Sequence, residues 1–262
     1  MASRATQPCL LEQRMAENTA SQEIDLVTWI FERMPIRPQD RVLELCCGTG
    51  GQTLKFLDLL GESGRIVALD VSREALDTLA SKSGRNSQKL VLVEAGLDNF
   101  SPALRNAHLH PPAFDLVFCA YGLYYSTDAR RTLDQARSWL KPEGRMVVVG
   151  PFGPNNRPLF DLVRASGATI PEAVVSSSER FMSETVLPWG GQNFESVSAH
   201  TMTNRVRWST PERVLNDWQN TTFYDPKKRA TFEALLRSHF AEHGEFVNPK
   251  WVMMVEMTHA RT

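Results

Sequence analysis

The sequence predicts an α/β fold with a doubly wound, mostly parallel sheet. Three features carry that prediction: short, largely apolar runs that end in polar or glycine-rich steps, helical periodicity between those runs, and a glycine turn directly after the first of them. Strands covered by helices on both faces read as nearly continuous apolar segments, and Val42–Leu45, Ile66–Leu69 and Phe114–Ala120 have that character.

The elements follow in order. Ile24, Val27, Ile30, Phe31 and Met34 recur at helical spacing, so residues 21–34 are expected as an amphipathic helix that Pro35 and Pro38 end. Val42–Leu45 is the first strand, and Gly51–Leu60 the helix after the turn. Ile66–Leu69 is the second strand, Arg73–Ser81 the next helix, Lys89–Val93 the third strand and Phe114–Ala120 the fourth. Ala129–Leu140 is a helix, and Met146–Val149 the fifth strand. After Val149 the alternation weakens. Pro151–Asn156 is turn-rich, Pro158–Ala165 a short helix, and the neighbourhood of Ser176, Ser177 and Ser178 a polar loop. Phe194–Trp208 suits a long strand, Pro211–Trp218 and Asp225–His243 suit helices, and Trp251–Met257 a final strand, seven strands in all.

The most informative segment is Glu44-Leu45-Cys46-Cys47-Gly48-Thr49-Gly50-Gly51. A strand, glycine turn and helix of this kind offer backbone N–H groups at a helix N-terminus to the polar end of a nucleotide-like ligand. Asp70 ends the second strand 20 residues after Gly50, the offset at which a carboxylate can accept both ribose hydroxyls of an adenosine. A dinucleotide fingerprint does not fit. Started at Gly48 it needs glycine where Thr53 stands, and started two residues earlier it needs one at Cys46.

The pattern instead resembles the first motif of class I S-adenosylmethionine-dependent methyltransferases, an acidic and an apolar residue followed by Gly-x-Gly-x-Gly. Cys46 replaces the first glycine, as in ubiquinone/menaquinone-biosynthesis-like members. The resemblance continues through Glu94-Ala95-Gly96-Leu97-Asp98, where the family usually has Gly-Asp-Ala against adenine, and through Leu140-Lys141-Pro142-Glu143-Gly144 before the fifth strand. It spans roughly residues 40–150. It implies a Rossmann-like, seven-stranded sheet with an antiparallel edge strand, and a helical substrate lid drawn from residues 155–191 and 208–244. The corresponding division is an N-terminal helical segment (1–38), a cofactor-binding core (39–150), and lid segments with the final strands (151–262).

Composition narrows the function. Lys plus Arg number 29 against 30 Asp plus Glu, so no basic surplus points to nucleic acid or an anionic membrane. Cys9, Cys46, Cys47 and Cys119 lack metal-ligand spacing and suit a reducing compartment; no metal is expected. No apolar run approaches a membrane span, and Arg4, Glu12, Arg14 and Glu17 interrupt any signal-peptide stretch within Met1–Ala20, so the expected location is the cytoplasm. The oligomeric state stays open, a homodimer included.

The resemblance implies S-adenosylmethionine as cofactor, with S-adenosylhomocysteine as product. Glu44, Cys46, Gly48, Thr49, Gly50, Asp70, Val71, Leu97, Asp98, Cys119 and Ala120 are the implied cofactor contacts. Asp115, at the start of a buried strand, is assigned to backbone organisation. Tyr121, Tyr124 and Tyr125 follow the fourth strand, where donor and acceptor should meet; Tyr121 and Tyr124 are candidates for positioning, Tyr125 for acceptor contact, and packing is their bland alternative. His200 and His110 are the histidines weighed as bases, His200 being retained as a candidate. Trp189, Trp218 and Tyr224 are candidates for an apolar acceptor wall, with plain core as the alternative. The expected activity is in-line methyl transfer to a small, partly apolar acceptor, secondary-metabolite or quinone-precursor-like. A nucleic-acid or protein methyltransferase, or a non-methylating protein that binds the same cofactor, are the alternatives; the segment Ala120-Tyr121-Gly122-Leu123 lacks the Asn-Pro-Pro-Tyr-like tetrad of the former.

Overall fold

In the computed structural model, residues 21–261 are described. Cys9 and the first 20 residues, including the stretch weighed as a leader and most of the expected N-terminal segment, lie outside them. The described residues form a seven-stranded mixed sheet in the order β3-β2-β1-β4-β5-β7-β6, with the antiparallel strand at the β7–β6 side. The strands are β1 (Arg41–Leu45), β2 (Arg65–Asp70), β3 (Leu90–Glu94), β4 (Phe114–Ala120), β5 (Leu140–Pro151), β6 (Phe194–Trp208) and β7 (Phe246–Ala260). Strands β1 to β5 pair in parallel. The order reverses at β1, between β2 and β4, and open parallel sheets bind ligands at such a switch point, outside the carboxyl ends of the strands. Glu44, Asp70 and Ala120 stand at those ends.

The helices are α1 (Leu26–Arg33), α2 (Gly51–Leu59), α3 (Arg73–Ser83), α4 (Phe100–Asn106), α5 (Ala129–Ser138), α6 (Arg157–Ala165), α7 (Glu172–Glu179), α8 (Leu187–Asn193), α9 (Pro211–Gln219) and α10 (Arg229–His243). Contacts divide the chain into two compact units. One holds Leu26–Gly150, Phe181–Thr201 and the residues from Met253 on; the other holds the described residues up to Asp25 with Pro151–Arg180 and Met202–Val252.

In the first unit the core runs through edge-to-face rings, Phe31 of α1 against Phe56 of α2 (4.8 Å) and Phe56 against Phe118 of β4 (5.3 Å). Asp115 accepts hydrogen bonds from the Arg41 backbone N–H (2.9 Å) and the Lys141 ammonium (2.8 Å), the organising role its position suggested. Residues 141–144 form a bulge in β5, because Leu140 pairs with Phe114 and Arg145 with Leu116.

The second unit has a core of its own. Trp218 stacks on Phe232 at 4.2 Å and meets Tyr224 edge-on at 4.9 Å, within a cluster that also holds Trp208, Leu236 and Phe246.

Two expectations change here. The helix expected over residues 21–34 covers Leu26–Arg33, because Gln22 bridges to Val206 and the Glu23 N–H bonds to the Arg205 carbonyl, so these backbone groups serve β6 instead of a helical turn. The serine-rich loop is helix α7. Ser177 Oγ donates to the Val174 carbonyl and Ser178 Oγ accepts from Asn155 Nδ2, so both hydroxyls are satisfied inside a helix that buries Val175.

Candidate functional site

The site begins at the end of β1, where the backbone must turn sharply into α2. Cys46, Gly48 and Gly50 all adopt left-handed φ angles, 58°, 52° and 90°. Alternate residues in this conformation are the physical reason a Gly-x-Gly-x-Gly pattern suits the turn, and Cys46 takes the first of them despite its Cβ. The turn is tied down by Cys47 N–H to the Leu69 carbonyl and Gly50 N–H to the Cys47 carbonyl, both 3.0 Å. Gly50 caps α2 without any side-chain hydrogen bond, so the first N–H groups of the helix have no side-chain cap. A Cβ at Gly48 would meet no atom within 4 Å, which leaves open space beside the turn.

Glu44 is 2% exposed. Thr53 Oγ1 of α2 donates to its Oε2 at 2.6 Å. Burial pushes the Glu44 carboxyl up to about 8, the Thr53 hydrogen bond opposes that, and the neighbouring Asp70 charge adds to it. Thr53 escaped the sequence reading as a site residue; its only signal was its place in the first turn of the helix after the glycine turn, which many threonines share.

Asp70 braces the same turn. Its Oδ2 accepts from the Gly48 N–H and its Oδ1 from the Ser72 N–H, each at 2.9 Å, while Ser72 caps α3 by accepting from the Ala75 N–H. Val71 beside it is 58% exposed, an apolar surface at the ligand end of the sheet. Leu97 is buried, Cys119 is buried and Ala120 half-buried at the end of β4. Cys46 lies against Cys119, whose thiol is the main cause, with burial, of a Cys46 thiol held well above its ordinary range. Thr49 sits within the turn, half-buried. Gly96 has negative φ and only an ordinary 3.5 Å approach of Asn99 Oδ1, so nothing in the backbone prevents a side chain there.

Asp98 points elsewhere. Its oxygens accept from Ser126 Oγ (2.6 Å) and Thr127 Oγ1 (2.8 Å), which join the loop after β3 to the loop after β4.

On the acceptor side, Tyr121 also has a left-handed φ, 56°, and burial of its hydroxyl raises its pKa further above neutrality, so it is no base near pH 7. Tyr124 packs against Tyr125 (4.8 Å) and edge-on against Phe181 (5.9 Å), and Tyr125 is 55% exposed. Phe181, far away in the sequence, precedes the π-helical turn Met182–Val186 and had no motif to announce it.

The remaining candidates lie apart. His200 is on β6, with β7 and β5 between it and β4, a separation of about 14 Å at ordinary strand spacing, so the expectation of a base there is corrected. His110 precedes β4, at the end of the strand opposite Ala120. Trp189 is 2% exposed and donates from Nε1 to Asp134 Oδ1 at 3.0 Å, which fixes α8 on α5. Trp218 is fully buried, with Phe232 on its face and Tyr224 at its edge. Both tryptophans are packing residues, because their rings are enclosed by core neighbours; Tyr224 is half-buried beside them in the second unit.

Residues 42–144 match the family model described as a methyltransferase domain. Together with the turn and its two carboxylates, this settles the kind of domain. Residues 42–144 form a class I S-adenosylmethionine-dependent methyltransferase domain. The ubiquinone/menaquinone biosynthesis C-methyltransferase of Teredinibacter turnerae is 32% identical over 168 residues, 60% of this chain and 63% of that protein. The demethylmenaquinone methyltransferase of Lactobacillus johnsonii is 31% identical over 128 residues, 48% of this chain and 50% of that one. The chain thus spans about half to two thirds of the length of these curated relatives. Among solved structures, the YcgJ protein of Bacillus subtilis superposes with a TM-score of 0.60 at 12% identity, over 90% of this chain and 98% of that one. A methyltransferase-like protein of Bacillus halodurans gives 0.60 at 11%, over 90% and 99%. At those identities the likeness is one of fold. The methyltransferase domain's cofactor is S-adenosylmethionine, and the uncapped helix start, the space at Gly48 and the buried acid at Glu44 fit its polar end. Among the described residues no His, Cys, Asp and Glu group is arranged to hold a metal, and no helix is long and apolar enough to cross a membrane.

Proposed function

We propose that the protein transfers the methyl group of S-adenosylmethionine to a small, partly apolar acceptor of quinone-precursor or related type. The observation that carries the reading is the left-handed turn at Cys46, Gly48 and Gly50 braced by Asp70, with Glu44 buried behind it. When bound, the cofactor supplies an electrophilic methyl group. The protein's part is then to bind and orient: Glu44 for the amino end, the Gly48–Gly51 backbone for the carboxylate end, Asp70 for the ribose, and Val71 and Leu97 for the adenine faces. Thr49, Cys119 and Ala120 complete the contacts. Orientation of two reactants can supply roughly 7 to 11 kcal/mol of a barrier without an acid or base.

The exposed Tyr125 with Tyr124 and Phe181 supports an acceptor with an aromatic or otherwise flat apolar face. The names of the relatives, one a ubiquinone/menaquinone biosynthesis C-methyltransferase and the other a demethylmenaquinone methyltransferase, point the same way. Tyr121 and Tyr124 position rather than abstract protons.

The test is transfer of an isotope-labelled methyl group from S-adenosylmethionine to a panel of hydroxylated aromatic and quinone precursors, with binding of S-adenosylhomocysteine measured alongside. Labelled product from a panel member supports the reading. Failure to bind S-adenosylhomocysteine overturns the cofactor assignment, and binding without transfer to any of them overturns the acceptor class.

A further inference from the structure

The loop after β3 and the loop after β4 are held together by one exposed carboxylate. Asp98 Oδ1 accepts from Ser126 Oγ at 2.6 Å and from the Thr127 N–H at 3.1 Å; Oδ2 accepts from Thr127 Oγ1 at 2.8 Å and more weakly from the same N–H at 3.3 Å. Three donor hydrogens thus engage both oxygens of the carboxylate, about three of its four acceptor sites, and every one of its partners is a donor. The network continues inward. Because Ser126 gives its hydrogen to Asp98, it accepts from Thr132 Oγ1, 2.9 Å away on α5, and from the Asp128 N–H at 3.1 Å. Thr132 is buried, so the surface tie is anchored in the core. Hydrogen bonding from Ser126, and next from Thr127, holds the Asp98 carboxyl below the usual carboxylate range, and it is ionised at neutral pH.

The two loops carry different halves of the site. Leu97, next to Asp98, belongs to the adenine side. Tyr121, Tyr124 and Tyr125, just before Ser126, belong to the acceptor side. We propose that Asp98 is a positioning residue that fuses these loops into one wall, so that cofactor binding orders the acceptor-side tyrosines. The proposal rests on the methyltransferase reading and replaces the expected Asp98 contact with adenine, because the donors of residues 126 and 127 already engage both carboxylate oxygens and direct them to the loop after β4.

Asp98→Asn preserves shape but places an amide donor against donors. Calorimetric titration with S-adenosylhomocysteine is expected to show about a tenfold rise in Kd for Asp98→Asn, a similar rise for Ser126→Ala with Thr127→Val, and no further loss when all three are combined, since the groups act as a unit. Hydrogen exchange supplies the readout specific to coupling. In the wild type, S-adenosylhomocysteine should protect residues 95–99 and 121–128 together; in Asp98→Asn the protection of 121–128 should disappear while that of 95–99 remains. Preference for S-adenosylhomocysteine over S-inosylhomocysteine, which lacks the adenine amino group, should survive in Asp98→Asn. Loss of that preference, with Ser126→Ala and Thr127→Val binding normally, would make Asp98 an adenine ligand and overturn the proposal. Wild-type binding with undiminished affinity and protection in the variants overturns the coupling alone, whereas a wild type that binds no S-adenosylhomocysteine overturns the methyltransferase reading and the coupling with it.

Discussion

The Asp70 carboxylate accepts the Gly48 backbone N–H at 2.9 Å, so the acid at the end of β2 is a structural member of the turn after β1. Its other oxygen accepts from the Ser72 N–H. A carboxylate has about four acceptor sites, so two backbone bonds leave capacity for ribose hydroxyls. Asp70→Ala should therefore lower both S-adenosylhomocysteine affinity, by the ~1.5–3 kcal/mol typical of hydrogen bonds to a charged group, and the melting temperature. Asp70→Asn should lose affinity with a smaller change in melting temperature. Titration and thermal melts of the two variants separate the roles; unchanged affinity in both would refute ribose binding.

Gly48 and Gly50 share left-handed backbone but not surroundings. A Cβ on Gly50 would lie 2.3 Å from Leu79 Cδ1, and Leu79 is fully buried in the core. Gly50→Val should abolish binding through loss of the turn, with a clear fall in melting temperature. At Gly48 the cost is conformational, about 1–2 kcal/mol, because nothing lies within 4 Å of the added atom. Gly48→Ala should stay folded and lose S-adenosylhomocysteine affinity, a contrast that melts and titrations will check.

Cys46 bears a side chain where φ is 58°. Replacing it with glycine removes the left-handed penalty but also an atom group packed against Gly122 and Cys119. Cys46→Gly is expected to change stability by less than about 1 kcal/mol and to retain cofactor affinity. A large loss in denaturant titration would show that the thiol packing outweighs the backbone strain.

Glu44 makes the apo protein sensitive to pH. Its carboxyl, ordinarily near 4.5, is pushed up to about 8, chiefly by burial. Between those values the folded state holds a proton that the unfolded state has released, so stability is greatest below the ordinary value and declines as pH rises toward 8. Glu44→Gln should flatten that decline. If the amino end of the cofactor lies against Glu44, binding near pH 7 should release a proton in the wild type and none in Glu44→Gln, measured by calorimetry in buffers of different ionisation enthalpy.

Trp218 and Tyr125 make opposite predictions. Trp218→Ala empties a fully buried site stacked on Phe232 and should cost about 3–5 kcal/mol of stability. Tyr125 is 55% exposed, so Tyr125→Ala should leave the melting temperature nearly unchanged and reduce methyl transfer to the acceptor with little effect on S-adenosylhomocysteine. Equal thermal losses in the two variants would contradict these placements.

What the sequence alone determined is what short-range stereochemistry controls. Gly48 and Gly50 were legible because a strand that turns at once into a helix needs left-handed residues, and Asp70 because parallel strands of similar length bring their ends together. The long strand Phe194–Trp208 was legible from its partial alternation and turn boundaries. The tertiary structure decided whatever depended on partners distant along the chain. Pairing of Gln22 and Glu23 with β6 shortened the helix expected over residues 21–34, and the serine-rich segment is a helix whose buried Ser178 is satisfied by Asn155, 23 residues away. Strand order carried His200 away from β4, although no local pattern records that β7 and β5 lie between them. Asp98 was read as an adenine contact from its place in a motif, yet its carboxylate is directed by Ser126 and Thr127, nearly thirty residues further on. A charged oxygen goes to the nearest concentration of donors, and only the folded chain brings those donors within reach.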